Sequence, residues 1–290
     1  MLPNELNAEF GIPGVLAFER GRGGLVFAKV STPAAEAEIC LYGGHVTSFV
    51  PVGERPVIWL SPEAIYREGK AIRGGIPICW PWFSAHPSDP EQPSHGVARI
   101  SEWEVSGAAR LDDETLQLRL SLPGEHGCEL AVTVSRRLSL ELKTTNRSVG
   151  PMLFSAALHS YFQLGNIAEA KLEGLDGVAY LDDVDAGASG TKVQEGEIVI
   201  DREVDRRYLG TTADVLIHDA SLGRTIRVAK TGSATTVVWN PWSNRAAQLE
   251  DMPDDGYTTM LCVEAANVGP DEITLAPGES QVIGTTISVS

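Results

Sequence analysis

The sequence is poor in cysteine, and its cysteines are not spaced to bind a metal or to form a disulfide framework. Cys40, Cys79, Cys128 and Cys262 are scattered over 290 residues without a C-x-x-C pair. Small secreted domains, by contrast, carry dense cysteine patterns. Cys79 and Cys262 each lie in an apolar run. We therefore expect reduced cysteines in the core and interpret the chain as cytoplasmic.

Long apolar segments and an excess of basic residues are also absent. No uninterrupted apolar run approaches the ~18 residues of a membrane span, and residues 1–10 lack the basic start and apolar segment of a signal peptide. The chain has 39 Asp and Glu against 23 Lys and Arg, which gives a net charge of -16. A general nucleic-acid binder needs a basic face. We expect neither a membrane nor a nucleic-acid partner, although a local arginine cluster can still bind a small anion.

The sequence also lacks the motifs that mark nucleotide, serine-hydrolase and zinc-protease sites. It has no G-x-G-x-x-G after a strand, no Walker loop, no G-x-S-x-G and no H-E-x-x-H. Its six histidines are far apart and have no metal-ligand spacing. Asp182, Asp183 and Asp185 do not follow the EF-hand pattern, and we interpret them as a solvated acidic loop. We predict that the protein uses no cofactor and no metal.

What the sequence does contain is a period-two alternation of apolar and polar residues, which is typical of half-buried strands. Residues 116–122, L-Q-L-R-L-S-L, are the clearest case, and Gly43-Gly44 predicts a hairpin between strands over residues 35–42 and 45–50. Helical signal is weak and limited to one short turn at residues 61–66, with Ser61 as N-cap and Pro62 at the first helical position. Further strands are expected at residues 130–134, 138–142, 215–218, 225–228, 235–239, 260–265 and 281–288.

These elements predict an all-β protein. No βαβ rhythm suggests a parallel sheet, and no linker divides the chain. Many short strands separated by turns favour a large antiparallel β-sandwich. We therefore expect a single domain over residues 1–290.

The most unusual stretch is residues 71–83, A-I-R-G-G-I-P-I-C-W-P-W-F, which holds one charge, Arg73, among Gly, Pro and large apolar residues. Two adjacent glycines permit a tight turn or close approach to a ligand. A guanidinium offers a planar fork of donors to carboxylate or phosphate. Arg73 is therefore a candidate anion clamp, with a buried structural arginine paired to a carboxylate as the alternative.

Three further segments carry candidate polar residues. His95 and Arg99 lie together in S-H-G-V-A-R, where His95 could equally be a structural histidine bonded to a backbone carbonyl. Asp205 stands beside two arginines in V-D-R-R-Y, an arrangement more typical of a solvated surface network. The segment W-N-P-W, which begins at Trp239, offers flat aromatic faces that suit a sugar but are more often core.

Two residues have the chemistry of an acid and a base. His159 ends a strongly apolar strand, and a histidine can act as a general acid near neutral pH, although a satisfied core histidine is the alternative. Glu264 lies in the middle of the apolar strand M-L-C-V-E-A-A-N. A buried carboxylate is unfavourable unless it is paired or used, and burial raises its pKa toward the range of a general base. We favour a functional role for Glu264 over an edge glutamate paired with an arginine.

In combination, these motifs resemble a known family. R-G-G-I-P-I-C-W-P-W-F, H-G-V-A-R, A-L-H-S-Y-F, D-R-R-Y, W-N-P-W and V-E-A-A-N occur in the order seen in the aldose 1-epimerase-like superfamily. The chain is most similar to its hexose-6-phosphate mutarotase branch, the glucose-6-phosphate 1-epimerases. The resemblance extends from the Gly43-Gly44 hairpin to the C-terminal P-G-E-S. One departure is Ser94, since the position before the histidine of H-G-x-A-R is often Gln in this branch.

The resemblance implies a galactose mutarotase-like β-sandwich, the so-called supersandwich. It implies that the catalytic residues are His159 and Glu264. It implies that the substrate-binding residues are Arg73, Arg99 and Asp205, with His95 as a further pocket residue. The expected partner is a small sugar phosphate, bound by a monomer without cofactor or metal.

The activity implied is interconversion of the α and β anomers of a hexose 6-phosphate, with glucose 6-phosphate as the expected substrate. Glu264 would take the proton of the C1 hydroxyl and His159 would protonate the ring oxygen, while Arg73 and Arg99 hold the phosphate. The alternatives are a mutarotase for unphosphorylated aldoses and a non-catalytic carbohydrate-binding or sensing protein of the same fold. A hydrolase is a weaker option, because a second catalytic carboxylate is not evident.

Overall fold

The computed structural model describes residues 1–185 and 190–290. Helix α1 spans Pro3–Phe10 and helix α2 spans Trp242–Ala246. The strands in chain order are β1 (Leu16–Arg20), β2 (Val26–Ser31), β3 (Ala35–Cys40), β4 (His45–Pro51), β5 (Ile78–Cys79), β6 (Glu104–Arg110), β7 (Leu116–Leu122), β8 (Gly127–Val134), β9 (Leu138–Thr145), β10 (Met152–Phe154), β11 (Ala156–Leu158), β12 (Tyr161–Gln163), β13 (Ala170–Glu173), β14 (Ala179–Asp182), β15 (Lys192–Val193), β16 (Ile198–Val199), β17 (Val204–Tyr208), β18 (Val215–Asp219), β19 (Arg224–Thr231), β20 (Thr235–Asn240), β21 (Met260–Asn267), β22 (Ile273–Leu275) and β23 (Ser280–Val289).

Two large sheets pack against each other. One has the strand order β16-β13-β18-β19-β23-β9-β8-β7-β6, and the other β15-β14-β17-β20-β21-β11-β5, with β12 also paired to β21. Strands β21 and β11 of the second sheet contact β23 of the first. A four-stranded sheet, β1-β2-β3-β4, and a two-stranded sheet, β10-β22, complete the architecture. The predicted all-β fold with antiparallel sheets in a large sandwich is confirmed.

Several predicted elements lie where the alternation placed them. Strand β7 has the predicted bounds and the burial pattern of a half-buried strand. Strands β3 and β4 form the predicted hairpin, and Gly43 and Gly44 have φ values of 85° and 55°, which glycine adopts without strain. All four cysteines are free and buried, in agreement with the expected reduced core residues.

The short helical turn expected at residues 61–66 does not become a helix, and the helices α1 and α2 were not predicted. Residues 61–66 form a turn instead of a helix, because the chain there is bound to its neighbours: Ser61 N donates to Arg73 O at 3.2 Å, and Leu60 bridges to Gly74. The two α-helices found in residues 1–185 and 190–290, α1 and α2, are eight and five residues long. Such short helices show little of the periodicity that reveals a long one. Within the described ranges, no helix is long and apolar enough to cross a membrane.

The second sheet is buried on both faces near its centre, and this positions the site. All eight residues of β21 are buried. Leu261 and Val263 pack into the main core between the sheets, whereas Cys262 and Ala266 pack into smaller clusters on the opposite face. Since side chains alternate along a strand, Glu264 shares the face of Cys262 and Ala266, away from the main core.

Candidate active site

A cleft of about 670 Å³ lies over the second sheet, on the face to which Glu264 points. The cleft is lined by all six residues that the sequence singled out, Arg73, His95, Arg99, His159, Asp205 and Glu264. These residues are spread over most of the chain, so the fold brings them together. In the part of the chain that the structure describes, no group of three or more His, Cys, Asp and Glu side chains is arranged to hold a metal ion.

Strand register explains why distant residues meet in this cleft. Asp205 of β17 lies opposite Trp239 of β20, and Trp239 lies opposite Cys262 of β21. Glu264 lies opposite Val237, one pleat further along. Directly paired residues of antiparallel strands point to the same face. The alternating residues of three neighbouring strands therefore form the floor of one cleft.

Glu264 is the buried acid of this floor. The residue is only 1% exposed, and its Oε2 has no hydrogen-bond partner within residues 1–185 and 190–290. Burial, with the nearby Asp205 carboxylate, raises the pKa of Glu264 well above its ordinary value, which Arg99 offsets only in part. A carboxyl group in this position keeps its proton to a higher pH than an exposed glutamic acid does.

His159 lies in the short connection between β11 and β12, both of which pair with β21. Its backbone N–H donates to Pro77 O at 3.0 Å. Its ring stacks on the Tyr161 ring at 4.8 Å, with the planes 10° apart. Burial lowers the pKa of His159 well below its ordinary value, and the neighbouring His95, Arg99 and Arg73 lower it further. The imidazole is therefore neutral in the free protein.

His159 Nε2 and Glu264 Oε1 are 3.3 Å apart. Because burial disfavours both charged forms, the contact joins a neutral acid to a neutral imidazole. The alternative arrangement, a carboxylate beside an imidazolium, contains the same number of protons and differs by one proton shift between the two atoms. Together the two side chains therefore offer one proton donor and one proton acceptor in either arrangement.

His95 lies above this pair, with ring centroids 5.9 Å from His159 and 4.7 Å from Phe83. Its φ of 62° is unusual for a residue with a side chain. Its Nδ1 accepts a hydrogen bond from Ser84 N at 3.3 Å. Burial lowers the pKa of His95 to about 3, helped by Arg99 and Arg73. A neutral ring whose Nδ1 accepts carries its proton on Nε2, where it can donate to a ligand oxygen.

Arg73 is held by the turn that follows it. A Cβ on Gly74 would lie 2.6 Å from Trp59 O, and one on Gly75 would lie 2.2 Å from His45 Nε2, so both positions need glycine. His45 Nε2 donates to Gly74 O at 2.8 Å and fixes the turn. The Arg73 guanidinium donates to Asp251 Oδ1 at 3.0 Å and to Tyr161 Oη at 3.1 Å. The sequence allows a buried arginine paired to a carboxylate as the alternative for Arg73, and the bond to Asp251 agrees with that part of the alternative.

Arg99 and Asp205 both line the cleft. Arg99 Nη2 donates to Ser94 O at 2.7 Å, whereas its Nε is buried without a partner among the described residues. Burial raises the pKa of Asp205 to about 6, with a further contribution from Asp183 that Arg207 opposes. Asp205 therefore belongs to the cleft, and the interpretation of V-D-R-R-Y as a solvated surface network was wrong for this residue.

Sequence reasoning missed some residues of the cleft and left the roles of others open. Tyr161 orients both His159 and Arg73, and its only sequence signal is its place two residues after the histidine. Trp239, considered as core or sugar contact, lies edge-on to His159 at 6.1 Å. Asp183, interpreted as part of a solvated loop, lines the cleft and binds Arg207 through two hydrogen bonds of 2.7 Å. Arg245, on α2, gave no signal at all.

Comparison with known proteins agrees with the fold and shows the family. Residues 28–288 match the profile of the aldose 1-epimerase family. A Salmonella typhimurium protein named "Putative glucose-6-phosphate 1-epimerase" is 37% identical over 245 residues, which cover 81% of each chain. A crystal structure of a "putative mutarotase" from Salmonella typhimurium has a TM-score of 0.89 at 32% identity and covers 99% of this chain and 98% of that one. A galactose mutarotase-like protein from Clostridium acetobutylicum, with a TM-score of 0.71 at 15% identity over 95% and 98% of the two chains, shares the fold.

Proposed function

This chain belongs to the aldose 1-epimerase family, a family of isomerases, and on that premise we propose that it interconverts the α and β anomers of a hexose 6-phosphate. Glucose 6-phosphate is the first candidate, because it is the substrate named for the Salmonella typhimurium relative. The observation that carries the proposal is the buried His159–Glu264 pair, 3.3 Å apart on the floor of a cleft that also contains arginines.

The pair has the protons that anomer exchange requires. In the arrangement of carboxylate and imidazolium, Glu264 takes the proton of the C1 hydroxyl while His159 protonates the ring oxygen. The C1–O5 bond breaks and an aldehyde forms. The pair is then a neutral acid and a neutral imidazole, which is the arrangement that burial favours.

Ring closure reverses these roles. After rotation about the C1–C2 bond, His159 accepts the proton of the C5 hydroxyl, and its oxygen attacks the other face of the aldehyde. Glu264 returns a proton to the carbonyl oxygen, and the pair regains its starting arrangement. Each positioned proton transfer contributes roughly 10²–10⁴-fold to the rate. The number of protons on the pair is the same before and after the reaction.

The remaining cleft residues bind and orient the sugar in this proposal. Arg73 and Arg99 bind the 6-phosphate through charge-assisted hydrogen bonds. Asp205 accepts hydrogen bonds from sugar hydroxyls, and His95 donates one from Nε2. Trp239, whose ring lies beside His159, packs against the apolar face of the pyranose.

A mutarotase for unphosphorylated aldoses is the second candidate, and two observations favour it. Arg73 is bound to Asp251, so part of its charge is already compensated inside the protein. Asp183, Glu203 and Glu272 also line the cleft. Carboxylates can accept hydrogen bonds from the hydroxyl groups of a neutral sugar, whereas they repel a negatively charged phosphate.

Exchange NMR at near-neutral pH tests the two candidates against each other. Magnetisation transfer between α and β anomers is measured for glucose 6-phosphate and for glucose at equal concentration, after subtraction of the exchange seen without protein. We expect acceleration of the phosphorylated sugar alone. Equal acceleration of both sugars would retain the mutarotase and remove the phosphate role of Arg73 and Arg99. Binding without acceleration of either sugar would indicate a sensing protein.

A further inference from the structure

We propose that Arg245 binds the 6-phosphate at the mouth of the cleft and thereby sets the preference for a phosphorylated sugar. This inference rests on the proposed function and adds to it a residue that no sequence motif indicated. Arg245 lies on the short helix α2 and lines the same cleft as His159 and Glu264. Its side chain is exposed and can reach a ligand without displacing other residues.

The hydrogen bonds of the cleft arginines distinguish Arg245 from the others. Arg207 is bound to Asp183 through two bonds of 2.7 Å, and Arg73 is bound to Asp251 at 3.0 Å. Both charges are therefore largely compensated within the protein. Of the four arginines that line the cleft in the described residues, Arg99 and Arg245 lack a carboxylate partner.

Between these two, Arg245 is the freer. Arg99 is fixed by the Ser94 carbonyl at 2.7 Å, and its Nε is buried. The recorded partner of Arg245 is the neutral side chain of Gln248, with Nη1 donating to Oε1 at 3.0 Å. A phosphate can replace that amide and gain a charge-assisted hydrogen bond.

The position of α2 is fixed by the strand that carries Trp239. The next residue, Asn240, is fully buried, and its Nδ2 donates to Tyr257 O and to Met260 O, each at 2.9 Å. Its Oδ1 accepts a hydrogen bond from the backbone N–H of Trp242 at 2.9 Å, and this bond fixes the first residue of α2. Trp242 has a φ of 52°, a strained value for a tryptophan. This local structure starts α2 directly beyond the floor of the cleft and sends Arg245 to its rim.

The geometry of the substrate suits this position. The proposed reaction occurs at C1 and at the ring oxygen, whereas the phosphate is attached through C6, outside the ring. With C1 at the His159–Glu264 pair, the phosphate extends away from the floor toward the rim. A dianion that approaches a protein of net charge -16 needs an uncompensated positive charge at the entrance. Arg245 supplies that charge.

Steady-state anomerase kinetics of Arg245→Gln and Arg245→Lys test the proposal, with glucose 6-phosphate and glucose as substrates. A contact made equally in the ground state and the transition state changes KM and leaves kcat unchanged. We expect Arg245→Gln to raise KM for glucose 6-phosphate by about tenfold or more, the value of one charge-assisted hydrogen bond. Arg245→Lys keeps the charge and should recover most of the loss. Any residual rate with glucose should not change.

The matched control is Arg119→Gln, which removes one exposed arginine from β7 in the other large sheet. This variant reports what the loss of one positive charge does to the whole protein, and we expect a KM within about twofold of wild type, since the charge is distant and screened. If Arg245→Gln changes KM for glucose 6-phosphate no more than the control does, Arg245 does not bind the phosphate. The same conclusion follows if the substitution raises KM for glucose and for glucose 6-phosphate by the same factor. If the wild-type protein accelerates neither sugar, the proposed function itself is wrong.

Discussion

Replacing Glu264 with glutamine should abolish most of the activity without unfolding the protein. The amide keeps the size of the carboxyl group but cannot exchange protons as the pair requires. We expect kcat with glucose 6-phosphate to fall by about 10²–10⁴-fold, which corresponds to about 2.7–5.4 kcal/mol of transition-state stabilisation. The rate is measured by exchange NMR at saturating substrate.

The same substitution should change how stability depends on pH. Burial raises the pKa of Glu264 above its ordinary value. The folded protein therefore keeps a proton that the unfolded chain has already lost above about pH 4.3. Wild-type stability consequently decreases, relative to Glu264→Gln, as pH rises from that value to the pKa of the folded protein. The slope is about 1.4 kcal/mol per pH unit while the difference is one full proton.

Between pH 6 and pH 8 the free energy of unfolding of Glu264→Gln should gain at most about 3 kcal/mol on wild type, which is two pH units at the full slope. Urea unfolding of both proteins at pH 6, 7 and 8 measures this difference in the free energy of unfolding. Glu63→Gln, which removes an exposed carboxylate, reports the effect of losing one negative charge. Parallel curves for Glu264→Gln and wild type would refute the raised pKa of Glu264.

Three further predictions concern other residues of the cleft. His159→Gln should lower kcat by about 10²–10⁴-fold, and if the pair acts as a unit, the double variant with Glu264→Gln should lose little more than either single variant; losses that multiply would contradict this. Burial raises the pKa of Asp205 to about 6, so KM should decrease as pH rises through about 6, when the carboxylate forms and accepts hydrogen bonds; Asp205→Asn should abolish this dependence, and its persistence in the variant would assign it to another group. Asp251→Asn removes the carboxylate from Arg73 and leaves the guanidinium partly buried; urea unfolding should show a loss of about 1–3 kcal/mol, and an unchanged midpoint would mean that the ion pair does not stabilise the fold.

The sequence predicted the fold class from local patterns, and it offered six candidate site residues from their chemistry together with the family resemblance; all six line one cleft. Period-two alternation is local, so strands such as β7 could be read directly from their residues. Glu264 could be found because a carboxylate inside an apolar strand is unfavourable without a partner. The identity of that partner, His159, depends on the pairing of β11 and β12 with β21, which no local pattern contains.

Contacts between distant residues explain what the sequence did not predict. Arg73 and Asp251 are 178 positions apart, so the residue that compensates the proposed anion clamp was invisible. Asp183 looked like a solvated loop residue because its neighbours are acidic, yet it pairs with Arg207 of the neighbouring strand β17. Arg245 lies on a helix of five residues, too short to produce a helical period.

Exchange spectroscopy of glucose 6-phosphate labelled with ¹³C at C1 is the most direct test of the central claim, that the His159–Glu264 pair interconverts the anomers. Cross-peaks between the α and β signals report the exchange rate without a coupled enzyme. The account predicts a rate that increases in proportion to wild-type protein and returns to the buffer rate with Glu264→Gln. A buffer-level rate with wild-type protein, while the sugar signals shift on binding, would contradict it.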